Sequence, residues 1–446
     1  MTLEPQLVRA ALAFRRHPKA SRAELKAFQD AQLRRLVCHA YESVPYYRKL
    51  FDRHRLHPRH IRGTVDLDLI PIISKHELRS QQPRKVVARG LDPERLLTAR
   101  TSGSSGEPFV IRRTWLEQSL QYLLRLRAFQ SLGARLGTRT ATVGLVRKRD
   151  PNDLKLIGRA LESARLKQTL RIDGLQEPEA IVKELQAFRP DLVTGMPGML
   201  CRVADYLLAH GRHDITPRLV IVGGEVLTPV MRRSLAEAFG APVRETYGSH
   251  EFPLLGWECG KTGEFHTCDD GVIVEVLRDG RPAEPGERGE VVATNLHSYA
   301  MPFIRYRLGD VATRGDQHCC CGQPFATIRS IQGRMIDYFP LPDGRMIHPY
   351  QILSSFIGGG DTWIRQYQLL QEKQDRIVLR VLPVQPPGPD YISRLEESVR
   401  PLLGPQVEFR VQLVDALPLE PTGKFRPSRS LVHSAYDGVL GSPARA

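Results

Sequence analysis

Apolar positions along this chain change period several times, and the changes mark its elements. Leu33, Leu36 and Val37 share a helical face, so residues from Leu3 to about Asp52 read as helices, interrupted where Pro45 breaks the run. Leu116, Leu120, Leu123, Leu124 and Phe129 predict a long helix over Trp115–Leu132. Strand and helix then alternate. Thr140–Leu145, Asp191–Pro197 (a strand running into a Gly/Pro turn), Leu219–Val222 and Val243–Gly248 are β-rich, and Glu179–Phe188, Gly198–His210 and Pro229–Phe239 carry helical spacing. Such alternation implies a mostly parallel sheet flanked by helices, with ligands at the carboxyl ends of the strands. From Val272 the pattern turns β-rich, with Val272–Leu277, Gly289–Ala293 and Phe325–Ile331. The last hundred or so residues alternate on a smaller scale beyond a boundary placed near Gly333.

One stretch has no apolar pattern. Thr101, Ser102, Gly103, Ser104, Ser105 and Gly106 are all small hydroxyl residues or glycine, and Phe109-Val110-Ile111 follows as a strand. The run reads either as a flexible linker or as a loop whose N–H groups and hydroxyls close around an anion. It is not a Walker A loop, because no Gly-Lys-Ser/Thr follows.

Composition narrows the class. The chain has 446 residues, 41% hydrophobic and 25% charged, as expected of a globular protein of two or three domains. No apolar run approaches the roughly 18 residues that a membrane span requires, and no secretory h-region is evident, so the cytoplasm is the expected compartment. The net charge of +15 comes from arginines spread over the whole length, which argues against a nucleic-acid partner and suits anionic small molecules. Only 12 of the 64 basic residues are lysines, so a lysine inside a motif is informative.

Five motifs stand in order: Thr101-Ser102-Gly103-Ser104-Ser105-Gly106-Glu107-Pro108, Gly223-Gly224-Glu225, Tyr247-Gly248-Ser249-His250-Glu251, Tyr306-Arg307-Leu308-Gly309-Asp310 and Pro421-Thr422-Gly423-Lys424. This order resembles the adenylate-forming superfamily of acyl-CoA synthetases, adenylation domains and luciferases. Val44-Pro45-Tyr46-Tyr47 and Met301-Pro302-Phe303-Ile304-Arg305-Tyr306-Arg307 resemble the phenylacetate–CoA ligase family and its capsule-biosynthesis-type relatives. The resemblance spans about residues 35 to 430. It implies an α/β fold with a large N-terminal domain of mixed sheets and flanking helices (1–332, helical to about 90) and a small mobile α+β C-terminal domain (333–446).

The resemblance also implies chemistry. A carboxylic acid would be activated with ATP as an acyl-adenylate, releasing pyrophosphate, and the acyl group passed to coenzyme A, with an amine or alcohol acceptor or a non-catalytic relative as alternatives. Thr101 to Gly106 would hold the β/γ-phosphates and Glu251 a Mg²⁺ ion. Gly223, Gly224 and Glu225 would wall the adenine pocket, Tyr247 with Gly248 would stack on the base, and Asp310 would take the ribose hydroxyls. Lys424 would place its charge on the α-phosphate. Gly333-Arg334 resembles the family's Gly-Arg pair, which adds Arg334 to the ATP set and makes Asp337 the hinge candidate. The other partner is a small-molecule carboxylic acid. Met196 and Met199 suggest that it is apolar. A homodimer is left open.

Cysteine makes a second constellation. Seven cysteines, three of them consecutive, are a poor disulfide framework. Cys259, His266, Cys319 and Cys321 supply a Cys-x6-His and a Cys-x-Cys pair, the ligand types of structural zinc. Cys268 and Cys320 are spare, so the ligand set stays ambiguous, with free thiols as the other reading.

Overall fold

The computed structural model describes residues 5–100, 109–135, 137–144, 168–334, 339–347, 349, 352, 363–388, 390–417 and 425–432. They form a mixed α/β structure with two compact units. One unit draws on the chain up to Arg135 and on Thr246–Ile331, and the other on the chain from there to Glu245 and from Gln332 onward.

The first unit begins with helices Pro5–Arg16, Arg22–Ser43 and Pro45–Arg53. Ser21 and Glu24 form a capping box at the start of the second helix. Pro45 opens the third, where its missing N–H costs nothing. Helix Trp115–Ser131 starts from a second capping box, Thr114 with Glu117. These helices bury Leu25, Leu33, Leu36, Val37 and Phe51 in one core with Trp257, Phe303 and Tyr306. Trp257 and Tyr306 stand on strands of a sheet ordered Gly256–Glu258, Phe265–Thr267, Thr327–Arg334, Tyr306–Arg314, Arg288–Asn295, Val272–Arg278 and Arg281–Pro282, and Phe303 just precedes the fourth of them. Tyr47 ties the two parts of the chain together. Its buried hydroxyl donates to the Pro302 carbonyl at 2.9 Å and accepts the Ile304 N–H at 3.1 Å.

The second unit holds the parallel strands expected from the alternation. Their order is Gln168–Asp173, Arg139–Gly144, Leu192–Gly195, Leu219–Gly223 and Val243–Tyr247, the last running on into the first unit. Helices Pro178–Phe188, Pro197–Ala209 and Pro229–Phe239 connect them, each with proline in its first turn. The last ends at Gly240, whose φ of +57° is the left-handed stop that glycine adopts without strain. The same unit contains a four-stranded sheet of Glu408–Leu413, Arg376–Pro383, Ile364–Lys373 and Ser428–Ser430, with helix Tyr391–Leu403 packed on it. Among the described residues no helix is long and apolar enough to cross a membrane.

Candidate active site

Strand Val243–Tyr247 delivers its last residue into a tight turn of the first unit. The Leu255 N–H donates to the Tyr247 carbonyl at 2.8 Å, and the Ser249 N–H to the Phe252 carbonyl at 2.7 Å. Gly248 leaves no room for a side chain: a Cβ there would lie 2.7 Å from the Pro253 carbonyl oxygen. The turn brings three of the sequence candidates together. Tyr247, 63 residues from Asp310, donates its hydroxyl to the Asp310 carboxylate at 2.7 Å. Glu251 is buried, and one of its oxygens accepts the Tyr306 hydroxyl at 2.9 Å. Its second oxygen carries no protein partner among the described residues, which suits a carboxylate that completes its shell on a cation.

Gly223, Gly224 and Glu225 lie in the second unit, at the carboxyl end of strand Leu219–Gly223. Gly224 has a φ of +85°, which a side chain would strain, so the backbone there is bare. The Glu225 carboxylate accepts the N–H of Gly198 and that of Phe425, each at 2.9 Å. Met199 is fully buried in the core beside Leu200 and Val203, so it does not line a pocket; Met196 is half-buried near Gly224. Thr101 to Gly106, Asp337 and Lys424 lie outside the described residues, and Arg334 is described in its backbone alone, as the last residue of strand Thr327–Arg334.

The cysteines resolve clearly. One ligand atom each from Cys259, His266, Cys319 and Cys321 lies within 4.8 Å of all the others. Cys259 Sγ is 3.7 Å from Cys319 Sγ, and Cys321 Sγ is 3.2 Å from His266 Nε2. Zinc–sulfur bonds of 2.3 Å at tetrahedral angles put two sulfurs about 3.8 Å apart, so the donor set and its spacing fit a zinc ion. Two glycine turns shape the site, Gly263 at φ +74° and Gly322 at φ +86°, with the Gly263 N–H on the Cys259 carbonyl and the Gly322 N–H on that of Cys319. Burial opposes ionisation of Cys259, but N–H groups of Thr262 and Lys261 outweigh it and hold the thiol below its usual range. Cys319 is pushed up to about 12 by burial and by the thiols of Cys321 and Cys259 beside it. Burial lowers His266 and so favours the neutral, ligating imidazole. Cys320 is exposed, and Cys268 is buried on Arg127.

No protein-family model matches the chain. A phenylacetate–coenzyme A ligase of Thermus thermophilus is 28% identical over 74% of this chain and 75% of its own length. Protein CapK of Staphylococcus aureus is 22% identical over 90% of this chain and 88% of its own. Among solved structures, 2-hydroxyisobutyryl-CoA ligase in its postadenylation state superposes with a TM-score of 0.76 at 19% identity, covering 96% of this chain and 94% of that one. These likenesses support the adenylate-forming superfamily. The chain is an AMP-forming ligase, close to the phenylacetate–CoA ligases.

Two side chains that support the ligase's Tyr247–Glu251 turn carry no motif. Arg113 is buried and donates one guanidinium nitrogen to the carbonyls of His250 and Glu251, so it pins the backbone on which Glu251 sits. Burial lowers its pKa to about 10, which still leaves it charged at neutral pH. Asn295 adds its side-chain amide to the Glu251 carbonyl at 3.4 Å. Strand Val110–Arg113 alternates half-buried and buried positions, with Ile111 and Arg113 inward. An arginine in register with a core isoleucine was the available signal.

Proposed function

We propose that this ligase activates a small carboxylic acid with ATP and passes the acyl group to coenzyme A in the cytoplasm. The observation that carries the reading is the joining of Tyr247, Asp310 and Glu251 around one turn, since these are the residues assigned to adenine, ribose and Mg²⁺. In the first half-reaction an oxygen of the acid bonds to the α-phosphorus while the bond to the departing pyrophosphate breaks. Little covalent work falls to the protein, so positioning and charge carry the rate. Thr101, Ser102, Gly103, Ser104, Ser105 and Gly106 take the β/γ-phosphates, Gly223 and Gly224 are assigned to the adenine wall, Tyr247 to stacking on the base, Arg334 to the nucleotide contacts, and Lys424 to neutralising the α-phosphate. Glu251 would hold a Mg²⁺ ion, which would offset phosphate charge. In the second half-reaction the thiol loses its proton, its sulfur bonds to the acyl carbon, and AMP leaves. Residues 333–446 act as a lid over 1–332, turning near Asp337 between the two steps.

The test is acid-dependent exchange of labelled pyrophosphate into ATP with a panel of aryl and short aliphatic acids, followed by thioester detection with coenzyme A. Exchange with none of them would remove the reading. Activation followed by transfer to an amine alone would keep the first half and replace the acceptor.

The four-residue cluster adds a structural zinc ion to the proposal, held by Cys259, His266, Cys319 and Cys321. Protein purified without chelator should contain close to one equivalent, and Cys321→Ser should lose it together with part of its thermal stability. Metal-free protein that melts at the same temperature as untreated protein would return these side chains to ordinary thiols.

A further inference from the structure

Arg305 holds a backbone conformation that its own side chain disfavours. Its φ is +47°, and of the four non-glycine residues with positive φ among the described residues it alone is buried; Arg55, Arg189 and Asp279 are exposed. A bulky residue keeps such a conformation only where its surroundings over-determine it. Here they do so through side chain and main chain together. The guanidinium forks onto Glu275, Nε to one carboxylate oxygen at 3.1 Å and Nη2 to the other at 2.9 Å. Nη1 donates to the Ile70 carbonyl at 2.7 Å and the Asp68 carbonyl at 3.3 Å. The Arg305 N–H donates to the Thr294 hydroxyl at 2.9 Å, and its carbonyl accepts the Ile73 N–H at 3.0 Å. The Arg307 N–H then donates to the Ile73 carbonyl at 2.9 Å. Between these two tethers stands Tyr306, whose hydroxyl donates to Glu251.

We propose that Arg305 is a positioning residue for the ligase reaction, fixing the chain so that the Tyr306 hydroxyl occupies one oxygen of Glu251 and leaves the other for a cation. The inference rests on the adenylation reading above, in which Glu251 holds the metal. The Tyr306 ring is packed by Phe303 at 5.3 Å and Phe252 at 6.0 Å, so its hydroxyl cannot search for the carboxylate and must be delivered by the backbone. Relaxation of residue 305 toward negative φ would rotate the next peptide and carry the hydroxyl, at the far end of the ring, off Glu251. The fork resists that relaxation, because a planar guanidinium bonds both Glu275 oxygens and two carbonyls at once. Lysine keeps the charge but not this geometry. Partners that orient a metal ligand without touching the metal typically matter on the order of 10- to 100-fold to its affinity or to activity.

The experiment compares the native chain with Arg305→Lys, Arg305→Gly, Tyr306→Phe and the double variant Arg305→Lys/Tyr306→Phe. It reads acid-dependent pyrophosphate exchange and, by electron paramagnetic resonance, the binding of Mn²⁺ in place of Mg²⁺ to the protein with a non-hydrolysable ATP analogue. Arg305→Lys and Tyr306→Phe should each weaken Mn²⁺ binding and slow exchange on the order of 10-fold. The double variant should do no worse than Tyr306→Phe alone, because Arg305 acts through that hydroxyl. Arg305→Gly accepts the backbone but drops the fork, so it should lose at least as much as Arg305→Lys. Should Arg305→Lys fail to fold, Glu275→Gln loosens the same fork from its other end and carries the same expectation. Losses that multiply in the double variant would overturn the inference, as would a lowered melting temperature with native Mn²⁺ affinity or native behaviour of Arg305→Gly. Exchange absent from the native chain would remove the adenylation reading, and the Mn²⁺ affinities would then decide by themselves whether Arg305 acts through Tyr306.

Discussion

Lys424→Ala should slow acid-dependent pyrophosphate exchange by roughly 10²-fold or more, the loss expected when a transition-state charge is removed. The same variant, given a synthetic acyl-adenylate and coenzyme A, should form thioester at close to the native rate. The asymmetry follows from the chemistry. Charge builds on the α-phosphate when the acid attacks, whereas the thioester step begins from a mixed anhydride that already exists and expels AMP. A lysine that only supported the fold would slow both steps together, so equal losses would sink the lid mechanism as well as the residue's role. Arginine at this position keeps the charge but replaces a compact ammonium with a planar fork, so it should recover only part of the rate.

Asp270→Ala should destabilise the first unit by roughly 3–5 kcal/mol, because it strands a buried arginine. Arg127 pairs with the fully buried Asp270, and its guanidinium also lies 5.0 Å from the Trp257 ring and 4.8 Å from that of Phe325. His17 donates its Nδ1–H to the same carboxylate at 2.9 Å. Burial disfavours the Asp270 carboxylate, but Arg127 and the hydrogen bonds from His17 and Arg127 prevail and bring it down to about 2. A carboxyl depressed from 3.8 contributes stability above about pH 4 and loses it as pH falls through about 2, so acid should remove in the native chain what Asp270→Ala removes at neutral pH. Urea melts from pH 7 down to pH 2 would check both. A neutral-pH loss under about 1 kcal/mol would mean that water or relaxation rescues Arg127. Replacing Arg127 and Asp270 together by apolar residues should recover much of the loss, since the penalty lies in the orphaned charge.

How much of this was legible depends on how local each signal is. Helix Trp115–Ser131 and the parallel strands announce themselves in their own residues, because a buried strand such as Leu219–Gly223 needs only its own apolar run. Strand Gln168–Asp173 lies at the end of the sheet order and is polar at most positions, so it becomes a strand through its neighbour Arg139–Gly144 and not through its pattern. The three-residue strands Gly256–Glu258 and Phe265–Thr267 are too short to show a period at all. The site divides in the same way. Motif order named Tyr247, Glu251 and Asp310, but the Tyr247–Asp310 bond spans 63 residues and belongs to the tertiary structure. Spacing could not choose among five clustered cysteines; the turns at Gly263 and Gly322 chose Cys259, Cys319 and Cys321, while Cys268 went to Arg127 and Cys320 to solvent. Met199 misled because a methionine beside a glycine turn looks the same whether it faces a ligand or the core.

Tyr47 and its partners at Pro302 and Ile304 carry a consequence for synthesis. A ribosome making this chain completes the helices of the first unit long before the strands that cover them: the parallel strands of the other unit emerge in between, and the Tyr47 hydroxyl waits 255 residues for its acceptor. Leu25, Leu33, Leu36 and Phe51 therefore spend that interval without Trp257, Phe303 or Tyr306 to close over them. The greasy faces of the nascent helices are exposed to other emerging chains and to holdase chaperones for as long as it takes to translate more than half the protein. Closing a loop of that length also makes this unit the slower of the two to find its native contacts once released, since contacts distant in sequence give nothing back until the entropy of closure has been spent.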